Sequence, residues 1–380
     1  MKMTPLFLDY CATTPVDSRV LSAMLPFFTA HFGNSTPQHV TFGNEEVLAV
    51  KEARQKVRRI LHADRGQIVF TSGATESNNL ALKGICESRK SIGKHIVSQV
   101  TEHASILNCL KHLEANGFEV TLLPVDTCGL VDPSDVKKAI RDDTVLVSIM
   151  WANNEIGTIQ NVKQIGSICR ESNSLFHSDA SQAITKLRTD VVENCIDALT
   201  LSAHKIYGPK GVGALYVGSF AKETPLTPLL HGGGQENGAR STTLNVPGIV
   251  GLGEACELAT KHGENWTSTC EVRDYFEALL TSKIANLEFN RASNRLPNIS
   301  NFAIRGVDSN SFVTASSEIV VSTGSACSFG TKGVSHVLSA LRKIPDVSNS
   351  SVRVSFGRQS KIVDANRAAQ AIQSAVQLFT

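Results

Sequence analysis

The sequence lacks a long apolar run, a cluster of one charge sign and a paired-cysteine motif. A membrane-spanning helix needs about eighteen consecutive apolar residues, and neither such a run nor a signal-peptide core is present. The 37 basic and 35 acidic residues nearly balance, which argues against a direct nucleic-acid-binding surface. We therefore expect a cytoplasmic protein that binds neither membranes nor nucleic acid.

The nine cysteines are scattered along the chain, with no C-x-x-C pair and no cysteine–histidine cluster at zinc spacing. This pattern predicts no metal site. An odd number of cysteines in a chain without a leader indicates reduced thiols. Because most free cysteines are buried and behave as small apolar residues, composition alone selects none of them as reactive.

Short β-branched segments alternate with helical patterns over the first two-thirds of the chain. Such alternation predicts an α/β fold with a mostly parallel central sheet flanked by helices. From about Leu258 the helices become longer and the strands fewer, which predicts a smaller α+β domain. We expect a large domain of residues 16–257 and a small domain of residues 1–15 and 258–380. The predicted strands are residues 67–71, 95–100, 119–124, 145–151, 175–178, 198–202 and 212–217, and the predicted helices include 105–115, 133–141 and 162–171.

Polar residues follow five of these strands at the point where each strand ends. They are residues 72–76, 101–103 and 153–155, together with Asp179 and the pair His204 and Lys205. In an open parallel sheet, ligands bind beyond the carboxyl ends of the strands. Five loops of complementary chemistry at one edge therefore predict a single site.

Three of these loops suggest one particular cofactor. Residues 72–75 join a strand to a helix start, which attracts an anion, and they form neither a G-x-G-x-x-G nor a Walker loop. Lys205 in a desolvated pocket could form a Schiff base, and Asp179 beside a pyridine nitrogen would keep it protonated. Taken singly, these residues could be a helix cap, a surface lysine and another cap. Together they predict pyridoxal 5'-phosphate.

With these motifs, the sequence resembles the cysteine desulfurases of the aminotransferase class V family, in the branch typified by NifS and IscS. The resemblance covers nearly the whole chain. The matching segments are Leu8-Asp9-Tyr10-x-Ala12-Thr13-Thr14-Pro15, Phe70-Thr71-Ser72-Gly73-Ala74-Thr75-Glu76-Ser77, Asn153-Asn154-Glu155-Ile156-Gly157, Ser202-x-His204-Lys205-Ile206-Tyr207-Gly208-Pro209-Lys210-Gly211, His231-Gly232-Gly233-Gly234-Gln235-Glu236 and Gly324-Ser325-Ala326-Cys327.

The resemblance implies a fold type I pyridoxal-phosphate-dependent transferase that forms a homodimer with its sites at the subunit interface. It also implies roles for individual residues. Lys205 would hold the cofactor covalently, Asp179 would pair with the pyridinium nitrogen, Gln182 would bond the ring hydroxyl, and His103 would stack on the ring and move protons. The phosphate would be held by Ala74, Thr75, Ser202, His204 and, from the second subunit, Thr243. The substrate would be bound by Asn34, Asn154 and Arg353.

The implied reaction converts L-cysteine to L-alanine and transfers the sulfur to Cys327 as a persulfide. An acceptor protein would then take the sulfur for iron–sulfur clusters or for tRNA or DNA sulfur modification. Glycines near Cys327, including Gly324 and Gly330, suit a flexible segment. Two related activities remain as alternatives, a selenocysteine lyase and a class V aminotransferase, of which the aminotransferase would not need Cys327.

The sequence also departs from the family pattern. The usual Gly-Asn-Pro-x-Ser-x-His stretch reads differently at residues 33–39, and Cys327 is followed by Ser-Phe-Gly in place of the commoner Thr-Ser. Cys11 stands where other small residues are usual, and we expect a buried inert thiol there; a second redox thiol is the alternative. The chain stops at Thr380, without the longer tail with which IscS-like enzymes engage their scaffold. This predicts a dedicated sulfur donor, with the desulfurases of DNA phosphorothioation as one candidate group.

Overall fold

The computed structural model describes residues 4–35, 43–262, 266–323, 335–341 and 345–379. Cys327 and most of the unusual stretch at residues 33–39 lie outside the described residues. Among the described residues, no helix is both long and apolar enough to cross a membrane.

Strands and helices alternate along the chain as the sequence predicts. The strands are β1 (Leu6–Phe7), β2 (Gln67–Thr71), β3 (His95–Gln99), β4 (Glu119–Leu123), β5 (Thr144–Ser148), β6 (Leu175–Asp179), β7 (Ala198–Ser202), β8 (Gly213–Val217), β9 (Leu287–Phe289), β10 (Ile299–Ile304), β11 (Ile319–Val320), β12 (Ser322–Thr323) and β13 (Ser351–Ser355). The helices are α1 (Ser18–Met24), α2 (Pro26–Thr29), α3 (Asn44–Ile60), α4 (Ala74–Arg89), α5 (Ala104–Ala115), α6 (Pro133–Ala139), α7 (Val162–Glu171), α8 (Val246–His262), α9 (Trp266–Lys283), α10 (Ser309–Ala315), α11 (His336–Ala340), α12 (Pro345–Asn349) and α13 (Ile362–Val376).

The largest sheet has seven strands in the order β2-β8-β7-β6-β5-β3-β4. Strand β8 is antiparallel to both of its neighbours, and the pairs among the other strands are parallel, so six strands share one direction. The prediction of a mostly parallel central sheet is confirmed. The carboxyl ends of those six strands consequently meet at one edge.

Helices cover both faces of this sheet. Successive side chains of a strand point to opposite faces, so neighbouring residues pack against different helices. Val147 and Phe176 belong to a core cluster with residues of α3, α6, α7 and α8. Leu146 and Leu175, one position earlier on the same strands, belong to a second cluster with residues of α4 and α5. The strands are therefore buried on both sides, as their continuous apolar runs predict.

One predicted strand, residues 145–151, ends earlier than expected, at Ser148. Its continuation stays hydrogen-bonded to β6: Ile149 donates its N–H to the His177 carbonyl at 3.1 Å, and Trp151 donates to the Asp179 carbonyl at 3.0 Å. The apolar run therefore continues as buried chain along β6 and reaches the edge where the predicted site residues lie.

A second sheet, in the order β12-β13-β10-β9, is antiparallel throughout. Its core contains Phe276 of α9, Phe302, Phe356 and residues of α13, and it also includes Leu8 from the start of the chain. This sheet supports the proposal that residues 1–15 join the C-terminal part in a small domain. The predicted boundary between residues 257 and 258 falls inside α8, which packs against α1 and α3.

Candidate active site

A cavity of about 540 Å³ opens at the carboxyl ends of β2, β6 and β7. Ten of the residues singled out in the sequence line it: Ala74, Thr75, His103, Asn154, Asp179, Gln182, Ser202, His204, Lys205 and Arg353. Asn34 and Thr243 are exposed and do not line it. Thr243 is expected to act in the site of a second subunit, and Asn34 lies in the stretch whose sequence departs from the family pattern.

The anion-binding end of the cavity is built where β2 passes into α4. Gly73 precedes the helix at φ +152°, and as a glycine it carries no side chain that could cap the first-turn N–H groups. Gly213 of β8 lies so close that a Cβ there would be 2.7 Å from the Gly73 Cα. The first turn of α4, with Ala74 and Thr75 on the cavity wall, is thus suited to a phosphate.

An acid in the same turn is balanced by an arginine. Glu76 accepts from the Ser72 N–H at 2.7 Å and forms a two-pronged pair with Arg240, at 2.7 and 3.1 Å. Burial opposes ionisation of this carboxyl, but hydrogen bonds from Arg240 and Ser72 hold its pKa below the usual value. The pairing limits the repulsion that an ionised acid would exert on a bound phosphate.

Lys205 lies in a short 3₁₀ turn directly after β7. Its Nζ donates to the carbonyl oxygens of Cys11 at 2.6 Å and Ala12 at 2.7 Å, and the Gln182 Nε2 donates to the same Cys11 carbonyl at 2.9 Å. Backbone carbonyls of the N-terminal segment therefore fix the amine at the cavity wall. The motif containing Ala12 was recognised in the sequence, but this contact was not predicted.

Asp179 is the last residue of β6, and its carboxylate is buried. One oxygen accepts from Asn78 Nδ2 at 2.8 Å, and the other accepts from the Ser181 N–H at 2.9 Å. Asn78 was missed in the sequence. It lies four residues after Ala74 in α4, so helical spacing places it on the same face of the helix as the phosphate-binding turn.

His103 caps the start of α5, and its Nδ1 accepts the Ser105 N–H at 3.1 Å. A neutral ring with this contact carries its proton on Nε2. Burial, with further contributions from Lys205 and His336, lowers the pKa of His103, although Asp179 acts in the opposite direction. The ring is therefore neutral at physiological pH.

His204 is also held neutral. Its Nδ1 lies 3.1 Å from the Thr13 Oγ1. Burial, assisted by the positive charges of Lys205 and Lys210, lowers the pKa of His204 to about 4. A phosphate would thus meet a neutral hydrogen-bonding imidazole here.

Arg353, on β13 of the second sheet, brings a buried cation to the opposite side of the cavity. Only 3% of its surface is exposed. Its Nη1 donates to the Asn154 carbonyl at 2.8 Å, and its Nη2 donates to the Asp9 carboxylate at 2.5 Å. A guanidinium held in this way can recognise a carboxylate.

The sequence pattern that defines the aminotransferase class-V family matches residues 6–367, nearly the whole chain. The chain belongs to the aminotransferase class-V family. Similar proteins over most of the chain are named cysteine desulfurase IscS. Cysteine desulfurase IscS of Neisseria meningitidis serogroup C is 44% identical over 375 residues, 98% of this chain and 92% of the relative. Cysteine desulfurase IscS of Dictyoglomus turgidum is 45% identical over 368 residues, 95% of this chain and 92% of the relative.

Several solved structures have the same fold. A NifS-like protein superposes with a TM-score of 0.91 at 34% identity, covering 99% of this chain and 100% of that one. SspA in complex with cysteine gives 0.82 at 38% identity, with 93% and 99% covered. DndA from Streptomyces lividans gives 0.77 at 33% identity, with 93% and 99% covered. The predicted fold type and the resemblance to cysteine desulfurases are confirmed.

The thiols of this class-V chain are mostly buried where they are described. Five of the eight described cysteines are buried, and none of the eight forms a disulfide. Burial raises the pKa of Cys109 to about 11 and also raises that of Cys86 and Cys169. Cys11 is 2% exposed and lines the cavity, with its Sγ 3.7 Å from Asn298 Nδ2. Its predicted inertness stays a prediction.

Two buried glutamates next to the site were not predicted. Glu102 precedes His103, and its Oε1 accepts from Gln99 Nε2 at 2.9 Å and the Met150 N–H at 2.5 Å. Burial raises the pKa of Glu102 to about 8. Glu155 accepts from the Ser335 hydroxyl at 2.5 Å, and burial raises its pKa to about 7, although Ser335 and Arg353 favour the ionised form. Both acids lie in loops that follow strand ends, where a glutamate is ordinarily expected to be exposed to solvent.

Replacement of Glu102 by glutamine is expected to stabilise the protein increasingly as the pH rises from about 5 to about 8. The folded protein keeps a proton on Glu102 that the unfolded chain releases above its ordinary pKa of 4.5. The free energy of unfolding therefore falls with rising pH in this window, by up to about 1.4 kcal/mol per pH unit for one group. Glu102→Gln removes this dependence, and urea unfolding across the pH range measures it.

The exposed Glu114 on α5 provides the matched control, since Glu114→Gln alters a solvated carboxyl on a neighbouring element. We expect the Glu114→Gln protein to follow the native pH dependence. A Glu102→Gln protein whose unfolding free energy runs parallel to the native curve from pH 5 to 8 would contradict a proton held on Glu102.

Proposed function

We propose that the protein uses pyridoxal 5'-phosphate to convert L-cysteine to L-alanine and passes the sulfur through Cys327 to an acceptor protein. The observation that carries the proposal is the convergence, in one cavity, of a fixed amine on Lys205, a buried carboxylate on Asp179 and the start of α4. Arg353 adds a buried cation on the opposite wall. The cysteine desulfurase relatives and the fold shared with SspA in complex with cysteine support the substrate.

The residues present fit the cofactor. The Asp179 carboxylate, held by Asn78 and Ser181, suits a protonated pyridine nitrogen. Ala74 and Thr75 offer first-turn N–H groups to the phosphate. When bound, pyridoxal phosphate supplies an electron sink for the negative charge that forms on the substrate α-carbon.

Lys205 is suited to the proton transfer at the α-carbon. Its neutral amine can take that proton, and the carbonyls of Cys11 and Ala12 stabilise the ammonium that results. His103, neutral and with its proton on Nε2, offers a donor at the cavity wall. Proton movements can thus be completed by groups that the cavity already contains.

Arg353 is proposed to bind the substrate α-carboxylate, with Asn154 beside it. The role of Cys327 rests on the motif Gly324-Ser325-Ala326-Cys327. In the transfer step, its thiolate Sγ attacks the substrate sulfur and forms an S–S bond, while the substrate C–S bond breaks. The bonding electron pair leaves with the carbon fragment, which takes up protons to become alanine. A thiol of ordinary pKa, about 8.5, is only partly ionised at neutral pH, so the rate should rise toward alkaline pH.

Replacement of Cys327 by serine is expected to lower sulfide release from L-cysteine and dithiothreitol by at least about a hundredfold, because serine cannot form a persulfide. The yellow colour of the bound cofactor should remain, since the ten cavity-lining residues are unchanged. The measurement is sulfide and alanine release, with the absorbance spectrum recorded in parallel. Cys128→Ser, which changes a partly exposed thiol outside the cavity, is the control and should keep native turnover.

Persisting sulfide release in Cys327→Ser would contradict the persulfide role and indicate another thiol or a lyase reaction. Keto-acid-dependent turnover without sulfide would indicate an aminotransferase. Much faster turnover of selenocysteine than of cysteine, with Cys327 dispensable, would indicate a selenocysteine lyase.

The proposal includes a homodimer, which is supported by exposed apolar side chains in the N-terminal helical region. Leu21, Leu25 and Phe28 recur at helical spacing along α1 and α2 and are 47%, 54% and 57% exposed. Phe32, 68% exposed, follows them. Apolar surface of this kind marks a protein interface, and burial in a second copy of the chain would remove it from water. The exposed position of Thr243 agrees with a role in the partner's site.

Sedimentation is expected to give a species of twice the 40.9 kDa chain mass. Phe28→Asp should shift it toward the monomer, because a carboxylate would have to be desolvated in the interface. Leu122→Asp, at a 45% exposed apolar position on β4, is the control and should leave the dimer intact. A native protein that sediments as a monomer at micromolar concentration would contradict the proposal.

The destination of the sulfur completes the proposal. The fold and 33% identity shared with DndA from Streptomyces lividans support a dedicated donor for DNA sulfur modification, and the relatives named IscS support a broader donor role. In both cases the acceptor is a protein thiol that receives sulfur from Cys327. Firm retention of an iron–sulfur scaffold at physiological salt would contradict the dedicated-donor part.

A further inference from the structure

The N-terminal segment of residues 9–14 contacts both cations of the site. The carbonyls of Cys11 and Ala12 accept from Lys205, and the carboxylate of Asp9 accepts from Arg353. The segment is itself fixed at both ends. Asp9 forms a parallel bridge with Ser355, the last residue of β13, and Thr14 donates its N–H to the His204 carbonyl at 2.9 Å. One short piece of chain thus spans the distance between the two sheets.

The contact between Asp9 and Arg353 is short and largely shielded from water. The Nη2–Oδ1 distance is 2.5 Å, and the side chains are 15% and 3% exposed. The second contact of the guanidinium, from Nη1, is made with the carbonyl of Asn154, which lies in the loop that follows β5. Two acceptors on separate parts of the fold therefore set the plane of the guanidinium.

The orientation of the Arg353 guanidinium matters for ligand binding. A guanidinium has five N–H groups, and each terminal nitrogen carries two of them. Nη1 donates to the Asn154 carbonyl, and Nη2 donates to Asp9. A carboxylate needs two parallel N–H groups in the right plane, so the orientation of the guanidinium decides how well it binds.

We propose that Asp9 is a positioning residue that holds Arg353 in the orientation in which it binds the α-carboxylate of the amino-acid substrate. This inference rests on the proposed role of Arg353. Asp9 acts through Arg353 and does not itself contact the substrate. What it contributes is an acceptor oxygen at a fixed place, supplied by the same segment that fixes Lys205.

The geometric role predicts different effects for two substitutions. Asparagine keeps an acceptor oxygen at the same distance from the backbone, whereas alanine removes it. Asp9→Asn should therefore preserve carboxylate recognition to within about threefold. Asp9→Ala should weaken it about tenfold, the loss expected when a charge-assisted hydrogen bond is no longer held in place.

The test uses the cofactor-loaded protein and two amines, L-alanine and ethylamine, which differ only by the carboxylate. The dissociation constant of each amine is measured from the change in cofactor absorbance. The dissociation constant of ethylamine divided by that of L-alanine reports carboxylate recognition. No sulfur chemistry is involved, so the result stands whether or not the protein desulfurates cysteine. Asp190→Ala removes another buried aspartate, which lies outside the cavity and pairs with the exposed Arg188, and it controls for a general loss of stability.

We expect the native protein to show a large ratio of the two dissociation constants, and Asp190→Ala and Asp9→Asn to retain it. Asp9→Ala should reduce this ratio about tenfold and leave the affinity for ethylamine unchanged. A native-like ratio in Asp9→Ala would overturn the inference. Equal decreases of the ratio in Asp9→Asn and Asp9→Ala would also overturn it, because they would show that the charge of Asp9 matters and not the position of its acceptor oxygen. A native protein that does not distinguish the two amines would overturn the role of Arg353 and this inference with it. Failure of sulfide release alone would count only against the proposed function.

Discussion

Two cations at the edge of a largely buried cavity need acceptors close by, and the N-terminal segment supplies them. A buried lysine or arginine is costly unless it is hydrogen-bonded or paired. Lys205 donates to two backbone carbonyls, and Arg353 is paired with Asp9. The proposed attachment point of the cofactor and the proposed substrate-binding cation are thus positioned relative to each other by residues that are nearly adjacent in sequence.

The central sheet contributes the remaining chemistry through the direction of its strands. Because six strands point the same way, the segments after β2, β6 and β7 meet at one edge and bring the phosphate-binding turn, Asp179 and Lys205 together. The two buried carboxyl groups of Asp179 and Glu102 have different surroundings. Asp179 accepts hydrogen bonds from Asn78 and Ser181, whereas burial raises the pKa of Glu102 to about 8. The protonated form of Glu102 follows from its burial.

Much of this arrangement could be predicted from the sequence. The strands follow β-branched runs bounded by turn residues, and residues 67–71 and 198–202 were predicted with the bounds that the structure has. Strand direction then placed Asp179 and Lys205 at the same edge. The family motifs added Arg353, which lies far away in sequence and has no local signal of its own.

Other parts of the site depend on tertiary contacts that a linear pattern does not contain. Asn78 acts through the face that α4 turns toward β6, and Glu102 differs from a surface glutamate only by its burial. Asp9 was part of a recognised motif, but its partner is 344 residues away. In the same way, β5 ends at Ser148 although the apolar run continues to Trp151, whose N–H still bonds to Asp179 of β6.

The central claim is that this cavity holds pyridoxal phosphate on Lys205, and the most direct test is to locate the cofactor chemically. The protein is treated with borohydride, which converts a Schiff base to a stable amine, and is then digested and analysed by mass spectrometry. The account predicts a pyridoxyl phosphate group on Lys205 and none on Lys210, five residues later and exposed at the cavity rim. A label on Lys210, or an unlabelled Lys205 in protein that retains the yellow colour, would contradict it.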